Sequence, residues 1–297
     1  MKRSRRRVSP ATLFFFLLSV ALGILLYLKS RPPQEAPTPA PPPRASATPR
    51  PRPPSPRPPV PAPSRPTAPP PAAPAGAPLR VAILIDDLGN DAAAVERIAR
   101  WPFPIAGAVL PDLSGSERAA RQLQASGKEV LLHVPMEPEG FPAVRPGPGV
   151  LLRSQNDAEI TDTLERDLAS VPGAVGVNNH MGSAATADPR VMRAVVRVLA
   201  HRGLFFVDSR TTASTVAEEI AREHGVPSVS RRVFLDDVAT EQGVEKAFEG
   251  LVARVRSEGS ALAIGHPHPS TLVVLERELP RLQRQGVRLV PVGELVK

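Results

Sequence analysis

The 297-residue sequence contains no cysteine. This absence excludes disulfide bonds, a thiolate nucleophile, a zinc site with cysteine ligands and a lipid anchor attached through cysteine. Any metal site in the chain must therefore use histidine, aspartate or glutamate side chains.

Two kinds of functional motif are also absent. The sequence has neither a G-x-x-x-x-G-K-[ST] phosphate loop nor a G-x-G-x-x-G turn after its first predicted strand, so we predict that it binds no nucleotide. Ser209 lacks the G-x-S-x-G setting in which a serine serves as the nucleophile of an α/β-hydrolase.

Excess positive charge is missing from the part of the chain that would fold. Residues 1–78 contain twelve Lys and Arg and one acidic residue, whereas residues 79–297 contain twenty-five basic and twenty-eight acidic residues, a net charge of −3. The overall net charge of +8 therefore comes from the N-terminal part. Nucleic-acid-binding domains concentrate positive charge on their own surface, so we predict no nucleic-acid partner.

The N-terminal part begins with a basic segment, residues 1–11, followed by an apolar run, residues 12–28. A helix of that run, at about 1.5 Å per residue, spans about 25 Å, which is enough for a short membrane crossing. Basic residues favour the cytoplasmic side, so we predict an inner-membrane anchor with all later residues outside the cytoplasm. A cleaved signal peptide is the alternative, but Tyr27 and Lys29 are unlike the small residues of a cleavage site.

A proline-rich segment, residues 29–78, follows the apolar run. Twenty-two of the forty-eight residues from 31 to 78 are proline. Because this composition cannot bury a core and proline lacks a backbone N–H, we predict a disordered linker rich in polyproline II conformation. Such a linker reaches on the order of 100 Å.

From residue 79 onwards, short apolar runs alternate with amphipathic stretches of helical period. This alternation predicts an α/β domain, residues 79–297, around a parallel sheet that is open or closed into a barrel. The predicted strands are residues 80–85, 105–110, 129–134, 174–177, 204–207, 228–234, 261–264 and 288–290.

Polar residues follow five of these strands at their carboxyl ends, where parallel α/β folds form their active sites. Four of the six histidines lie in these segments. Because the carboxyl ends of parallel strands share one rim, we expect the side chains to converge there. The segments are Asp86-Asp87, His133 to Glu137, Asn178-Asn179-His180, Asp208-Ser209-Arg210 and His266-Pro267-His268.

Each segment taken alone has a structural explanation. Asp86 and Asp208 are residue types that cap helices, and Asn178 favours tight turns. A single buried histidine such as His133 is often just a hydrogen-bonded core residue. The agreement of five segments favours a functional site.

The ordered series D-D-x-G, H-x-P-M-E, N-N-H-M-G-S, D-S-x-T and G-H-P resembles that of the divergent polysaccharide deacetylases. It runs from Asp86 to Pro267, and the resemblance covers residues 80–297. It implies a distorted (β/α) barrel of about seven parallel strands, preceded here by the transmembrane helix and the linker.

The resemblance also implies roles for individual residues around a divalent metal, expected to be zinc. Asp86 matches the general base and His266 the general acid, while Asp87 and His133 match metal ligands. The relatives have their second metal histidine a few residues after the first, where this sequence has Glu137. His180 is the predicted replacement, with Glu137 or His268 as alternatives. The residues expected to bind substrate or orient ligands are Glu137, Asn179, Asp208, Ser209, Arg210 and His268.

The implied activity is the removal of N-acetyl or O-acetyl groups from an envelope polysaccharide such as peptidoglycan, with the domain in the periplasm. One alternative is a non-catalytic envelope protein that keeps the fold and binds glycan or a cell-wall partner. Another is a glycoside hydrolase that uses Asp86 and Glu137 as its two carboxylates. Trp101 is the only tryptophan, so a shallow or narrow glycan site is expected rather than a long cleft of stacked rings.

Overall fold

The computed structural model describes residues 78–297. The predicted basic segment 1–11, the apolar run 12–28 and all but the last residue of the linker 29–78 lie outside the described residues. Within residues 78–297, none of the helices has the length and apolar character that a membrane crossing requires.

In the described part of the chain, nine parallel strands form one sheet. Their order is β6-β5-β4-β3-β2-β1-β8-β7, and β9 pairs with β1. The strands are β1 (Arg80–Leu88), β2 (Ala106–Val109), β3 (Glu129–Met136), β4 (Gly176–Met181), β5 (Phe205–Asp208), β6 (Ser228–Ser230), β7 (Val233–Phe234), β8 (Ser260–Gly265) and β9 (Arg288–Leu289).

Between residues 78 and 297, seven α-helices alternate with the strands, as the sequence pattern predicts. They are α1 (Ala92–Ala99), α2 (Ser116–Ala125), α3 (Asp157–Ser170), α4 (Pro189–Arg202), α5 (Ala217–Glu223), α6 (Glu241–Glu258) and α7 (Pro269–Arg284). Local signals fix their ends. For α4, the Asp188 side chain accepts from two backbone N–H groups, Pro189 occupies the first turn, and Gly203 ends the helix at φ 68°.

The sheet is curled so that its two outer strands come close together. β6 and β7 lie at opposite ends of the eight-strand order, yet β6 ends at Ser230 and β7 begins at Val233, only a short step along the chain. A flat sheet would hold these strands far apart, because neighbouring strands are about 4.8 Å apart. The result is a barrel-like parallel α/β fold with a seam between β6 and β7.

The seam corrects the prediction of a single strand over residues 228–234, and the count of nine strands exceeds the expected seven or so. The Arg231 N–H donates to the Asp208 carbonyl of β5 at 2.9 Å, whereas the Arg232 N–H donates to the Leu262 carbonyl of β8 at 2.8 Å. The chain therefore changes its pairing partner between these two residues, and one predicted strand becomes two short ones.

Alternate residues of the strands face two separate apolar clusters. On β1, Val81, Ile83 and Ile85 pack with the helices, whereas Ala82 and Leu84 belong to a cluster that none of the seven described α-helices enters. This second cluster is the interior of the curled sheet, and we call it the interior stack. Its buried members are Ala82, Leu84, Ala106, Ala108, Leu131, Phe205, Val207, Leu262, Ile264, Val290, Val292 and Leu295.

Candidate active site

The interior stack becomes polar at the carboxyl ends of the strands. Side chains of a strand point to the same face at every second position, so the interior series continues from Leu84 to Asp86 on β1 and from Leu131 to His133 on β3. The same step leads from Val207 of β5 to Ser209. The remaining interior positions are Asn178 and His180 on β4, Asp236 after β7 and His266 after β8. The sequence therefore builds a polar rim on top of an apolar interior.

Asp87 joins this rim only because the backbone of β1 is irregular. Consecutive strand residues normally point to opposite faces. The pairing of β1 with β2 shifts between Ile85 and Leu88, and Asp87 has a left-handed φ of 57°. With this bulge, Asp86 Oδ2 and Asp87 Oδ1 both face His133 Nε2, at 3.6 and 3.2 Å.

Three potential ligand atoms form a nearly equilateral triangle. Asp87 Oδ1 lies 3.2 Å from His133 Nε2 and 3.0 Å from His180 Nδ1, and the two histidine nitrogens are 3.2 Å apart. Asp87 Oδ1 is buried and, among the described residues, has no hydrogen-bond partner. A tetrahedral zinc with bonds of about 2.0–2.1 Å has ligand atoms about 3.3 Å apart. The triangle therefore fits a divalent metal, and its two-nitrogen, one-oxygen donor set suits zinc.

A buried asparagine fixes the orientation of His133. Asn178 Nδ2 donates to Asp86 Oδ1 at 2.9 Å and to Ser209 Oγ at 3.2 Å. Its Oδ1 therefore faces His133 Nδ1, at 3.0 Å, and an amide oxygen only accepts. His133 must then carry its proton on Nδ1, which leaves the Nε2 lone pair free to bind a metal.

On the opposite side of the rim, Asp236 orients His266. The His266 Nδ1–H donates to Asp236 Oδ1 at 3.0 Å, while Asp236 Oδ2 accepts from the His266 backbone N–H at 2.6 Å and from Thr271 Oγ1 at 2.7 Å. The free Nε2 of His266 points to the rim and lies 3.7 Å from Asp87 Oδ2. This arrangement holds a histidine ready for proton transfer at Nε2.

Burial and neighbouring charges shift the pKa values of these groups. Burial raises the pKa of Asp86, despite opposing effects of His133 and His266. Burial also acts to raise the pKa of Asp87, but the close approach of His133 and His180 holds it well below its usual range. Burial lowers the pKa of His266, but the hydrogen bond and charge of Asp236 outweigh burial and raise it. Asp86 is therefore a stronger base, and His266 a more persistent acid, than in water.

Several residues predicted for the site form hydrogen bonds with the surrounding loops. Both carboxylate oxygens of Glu137 accept hydrogen bonds from Arg153, from its backbone N–H at 2.7 Å and from Nε at 2.9 Å. The Asn179 side chain donates to the Met181 carbonyl and accepts from the Ser209 N–H. These bonds brace the loops around the rim.

The other predicted orienting residues differ in where they lie. Asp208 caps its own turn by accepting from the Arg210 N–H and from Thr215 Oγ1. Ser209 reaches the rim through its contact with Asn178. His268 is exposed, with its ring centroid 5.8 Å from that of His266.

The sequence motifs do not identify Asp236 or Arg231, and they give Asn178 a place at the rim but no specific role. Asp236 begins a second Asp-Asp pair after a predicted strand, and that signal could have been followed. Asn178 shares the face of His180 by the period of two. Arg231 is recognisable only in three dimensions: its guanidinium donates to the carbonyls of Ser209 and Arg210 and stacks on an aromatic ring, which braces the seam.

The chain is similar to several known proteins. It is 38% identical over 216 residues to an uncharacterized protein of Haemophilus influenzae, covering 73% of this chain and 76% of that protein. It is 36% identical over 217 residues to the uncharacterized protein YibQ of Escherichia coli K12, covering 73% and 67%. A solved structure of an uncharacterized protein from Agrobacterium tumefaciens C58 matches with a TM-score of 0.71 at 26% identity, covering 76% of this chain and 93% of that one.

The family assignment follows from a match along most of the domain. The sequence model described as divergent polysaccharide deacetylase matches residues 83–296, which is more than half of the chain. This range includes every residue of the polar rim and all but the first few residues of β1. The resemblance seen in the sequence motifs is thus confirmed: the chain belongs to the divergent polysaccharide deacetylase family.

Proposed function

We propose that this protein is a metal-dependent deacetylase that removes N-acetyl or O-acetyl groups from an envelope polysaccharide such as peptidoglycan. One observation carries the proposal: Asp87 Oδ1, His133 Nε2 and His180 Nδ1 lie 3.0–3.2 Å from one another, between a buried aspartate and an oriented histidine. The family assignment supports the substrate class.

Asp87, His133 and His180 would hold the divalent ion, with zinc as our choice. When bound, such an ion supplies Lewis acidity that polarises an acyl carbonyl and lowers the pKa of water. The side chain of Asp87 is about one-third exposed, so a glycan could approach this edge of the rim from solvent.

Asp86 is the proposed general base. Its Oδ1 accepts from Asn178, which leaves Oδ2 directed towards the ligand triangle. As a water oxygen attacks the acetyl carbonyl carbon, Asp86 accepts the water proton. Its raised pKa improves proton acceptance near neutral pH.

His266 is the proposed general acid. Once protonated on both nitrogens, His266 keeps its Nδ1 proton in the hydrogen bond to Asp236. It donates the Nε2 proton to the leaving nitrogen as the C–N bond breaks. The products are acetate and a free amine. Asp236 stabilises the imidazolium form, so the acid persists to higher pH than a free histidine.

We also propose that the domain, residues 79–297, acts outside the cytoplasm. The basic segment 1–11, the apolar run 12–28 and the proline-rich segment 29–78 support a single-pass inner-membrane anchor followed by a long linker. This topology would hold the domain within reach of peptidoglycan.

The test is acetate release by the purified full chain, supplied with zinc, from N-acetylated glycan oligomers and from peptidoglycan. We expect release by the parent chain, and loss of release with zinc retained in Asp86→Asn, because the amide cannot accept the proton. His201→Ala is a matched control, since His201 is an exposed residue near the end of α4 and should not change activity.

A chain that retains zinc and binds glycan but releases no acetate from N-acetylated or O-acetylated substrates would contradict the proposal. It would indicate a binding protein that has kept the fold. Shortened glycans without acetate would indicate glycoside hydrolysis instead.

A further inference from the structure

A second group of metal-binding residues lies beside the first. Asp236 follows β7, His266 follows the adjacent strand β8, and His268 directly precedes α7. One ligand atom from each of the three residues lies within 4.8 Å of the others. The closest pair, Asp236 Oδ1 and His266 Nδ1, is 3.0 Å apart.

Proline residues stiffen the segment that presents the two histidines. The local sequence is His266-Pro267-His268-Pro269, and each proline disfavours helical backbone angles at the histidine before it. His268 is accordingly extended, at φ −65° and ψ 141°. Its ring is exposed and does not cap α7, so it can turn towards His266 without breaking a cap.

Asp236 is oriented to offer a single oxygen. Its Oδ2 accepts from the His266 backbone N–H and from Thr271 Oγ1, at 2.6 and 2.7 Å. This leaves Oδ1 facing His266 Nδ1. Outer hydrogen bonds of this kind fix the direction in which a carboxylate binds a metal.

We propose that Asp236, His266 and His268 form a second divalent transition-metal site, of the zinc class, separate from the ligand triangle. Asp236 Oδ1, His266 Nδ1 and a ring nitrogen of His268 bind the ion. Two imidazole nitrogens and one carboxylate oxygen are a donor set that zinc accepts readily.

The second site binds its ion more weakly than the first. The ion must displace the proton that His266 Nδ1 donates to Asp236, which moves to Nε2 in the neutral ring or leaves for solvent from the imidazolium form. His268 must also turn, because its exposed ring is tilted relative to that of His266, with the two ring centroids 5.8 Å apart. The site lies at the N-terminus of α7, where the helix dipole disfavours a cation.

Occupancy of the second site has a consequence that rests on the proposed function. With a metal on Nδ1, His266 cannot become an imidazolium, and the single proton left on Nε2 is a much weaker acid. Excess metal then inhibits the enzyme at its general acid. General acid catalysis contributes on the order of 100-fold or more, so inhibition at saturation should reach that size.

The test measures zinc binding by the full chain, purified without a histidine tag. Equilibrium dialysis and elemental analysis give the bound zinc over a range of free zinc. We expect two equivalents in the parent chain, one tight and one weak. His268→Ala should lose the weak equivalent alone, and His133→Ala the tight one alone. The control His201→Ala, which also removes one exposed histidine, should bind two.

The proposal is overturned if the parent chain binds no more than one equivalent, or if His268→Ala binds as many equivalents as the parent at the same affinities. Circular dichroism of each variant establishes that the fold is intact. Because His268 is exposed, we expect no loss of folding in His268→Ala.

A separate activity measurement tests the inhibition. For each chain, acetate release in excess zinc is compared with acetate release at one zinc equivalent. Excess zinc should inhibit the parent but not His268→Ala. Equal inhibition of both would overturn the role of the second site as an inhibitory site. If the parent releases no acetate at all, the proposed function fails, whereas the binding data still decide whether the second site exists.

Discussion

The two sides of the rim use the same residue types but hold them differently. On the side of β1, β3 and β4, the buried Oδ1 of Asp87 lies close to His133 and His180 without a hydrogen-bond partner among the described residues. On the side of β7 and β8, both oxygens of Asp236 accept well-formed hydrogen bonds, including two from His266.

This difference separates two kinds of chemistry. A buried carboxylate oxygen without a donor is costly unless a cation completes it, so the first side suits the metal ion that we propose. A carboxylate that accepts a hydrogen bond from a histidine stabilises the protonated ring, so the second side favours a bound proton. The same difference explains why a metal on the second side has to compete with a proton.

The largest expected effect comes from breaking the first side. His133→Ala removes one ligand of the triangle, and we expect loss of the tight zinc equivalent and of nearly all acetate release, because several kcal/mol of transition-state stabilisation depend on the metal. Elemental analysis and an acetate assay on the same preparation check this. Normal zinc content in His133→Ala would show that the ligand set has been assigned wrongly.

The next effect comes from the second side. His266→Gln removes the proton donor but leaves the ligand triangle intact, so we expect a fall in turnover of about 10²–10⁴-fold with the tight zinc retained. Steady-state kinetics and metal analysis measure the two outcomes separately. If the variant lost the tight zinc as well, the two sides would not be independent.

A smaller change sharpens the role of Asp236. Asp236→Asn keeps an acceptor for His266 Nδ1 but removes the negative charge that raises the His266 pKa. Since the acid must be protonated, activity falls as pH rises through this pKa, and the variant should lose activity at lower pH than the parent. We expect a loss of about 10–100-fold at neutral pH. A pH profile with an unchanged basic limb would contradict the role of the Asp236 charge.

The smallest effect on activity is expected for a buried aspartate outside the rim. Asp167 of α3 is fully buried, neither carboxylate oxygen has a hydrogen-bond partner among the described residues, and burial together with the nearby Asp112 raises its pKa to about 8. Between the ordinary aspartate pKa and about 8, the folded state keeps a proton that the unfolded state loses. Stability therefore falls as pH rises through this window.

Asp167→Asn removes this pH-dependent penalty. We expect unchanged acetate release and a gain in unfolding free energy of at most a few kcal/mol at about pH 8, since one pKa unit corresponds to about 1.4 kcal/mol. The gain should shrink towards about pH 4. Denaturant unfolding at both pH values measures it, and an equal gain at both would show that ionisation of Asp167 is not the cause.

The positions of the strands could be predicted because each buried run is short, apolar and bounded by turn residues. The division of residues 228–234 could not, because it depends on which neighbour each backbone N–H meets. Arg231 pairs with β5 and Arg232 with β8, and nothing in the local sequence distinguishes these partners.

Much of the rim could be predicted from the period of two along each strand. Starting from the interior stack and stepping by two leads to Asp86, His133, Asn178, Ser209 and His266, and it passes over Asn179 and Asp208. The rule would also have found Asp236, two positions after Phe234 of β7.

Asp87 is the exception to this rule, because the period of two places its side chain on the face away from the rim. Its contribution depends on a left-handed backbone angle and a shift in strand pairing. These features appear only once β1 is placed against its neighbours.

The backbone angle of Asp87 also provides a way to examine relatives of this protein. At a φ of 57°, glycine has the lowest conformational cost, and asparagine and aspartate are among the few other residues that adopt this angle. Of these three residues, only aspartate offers a charged oxygen. A relative that no longer needs the charge could therefore carry glycine or asparagine at this position. The identity of this single residue should therefore sort family members that retain the chemistry from those that retain only the fold.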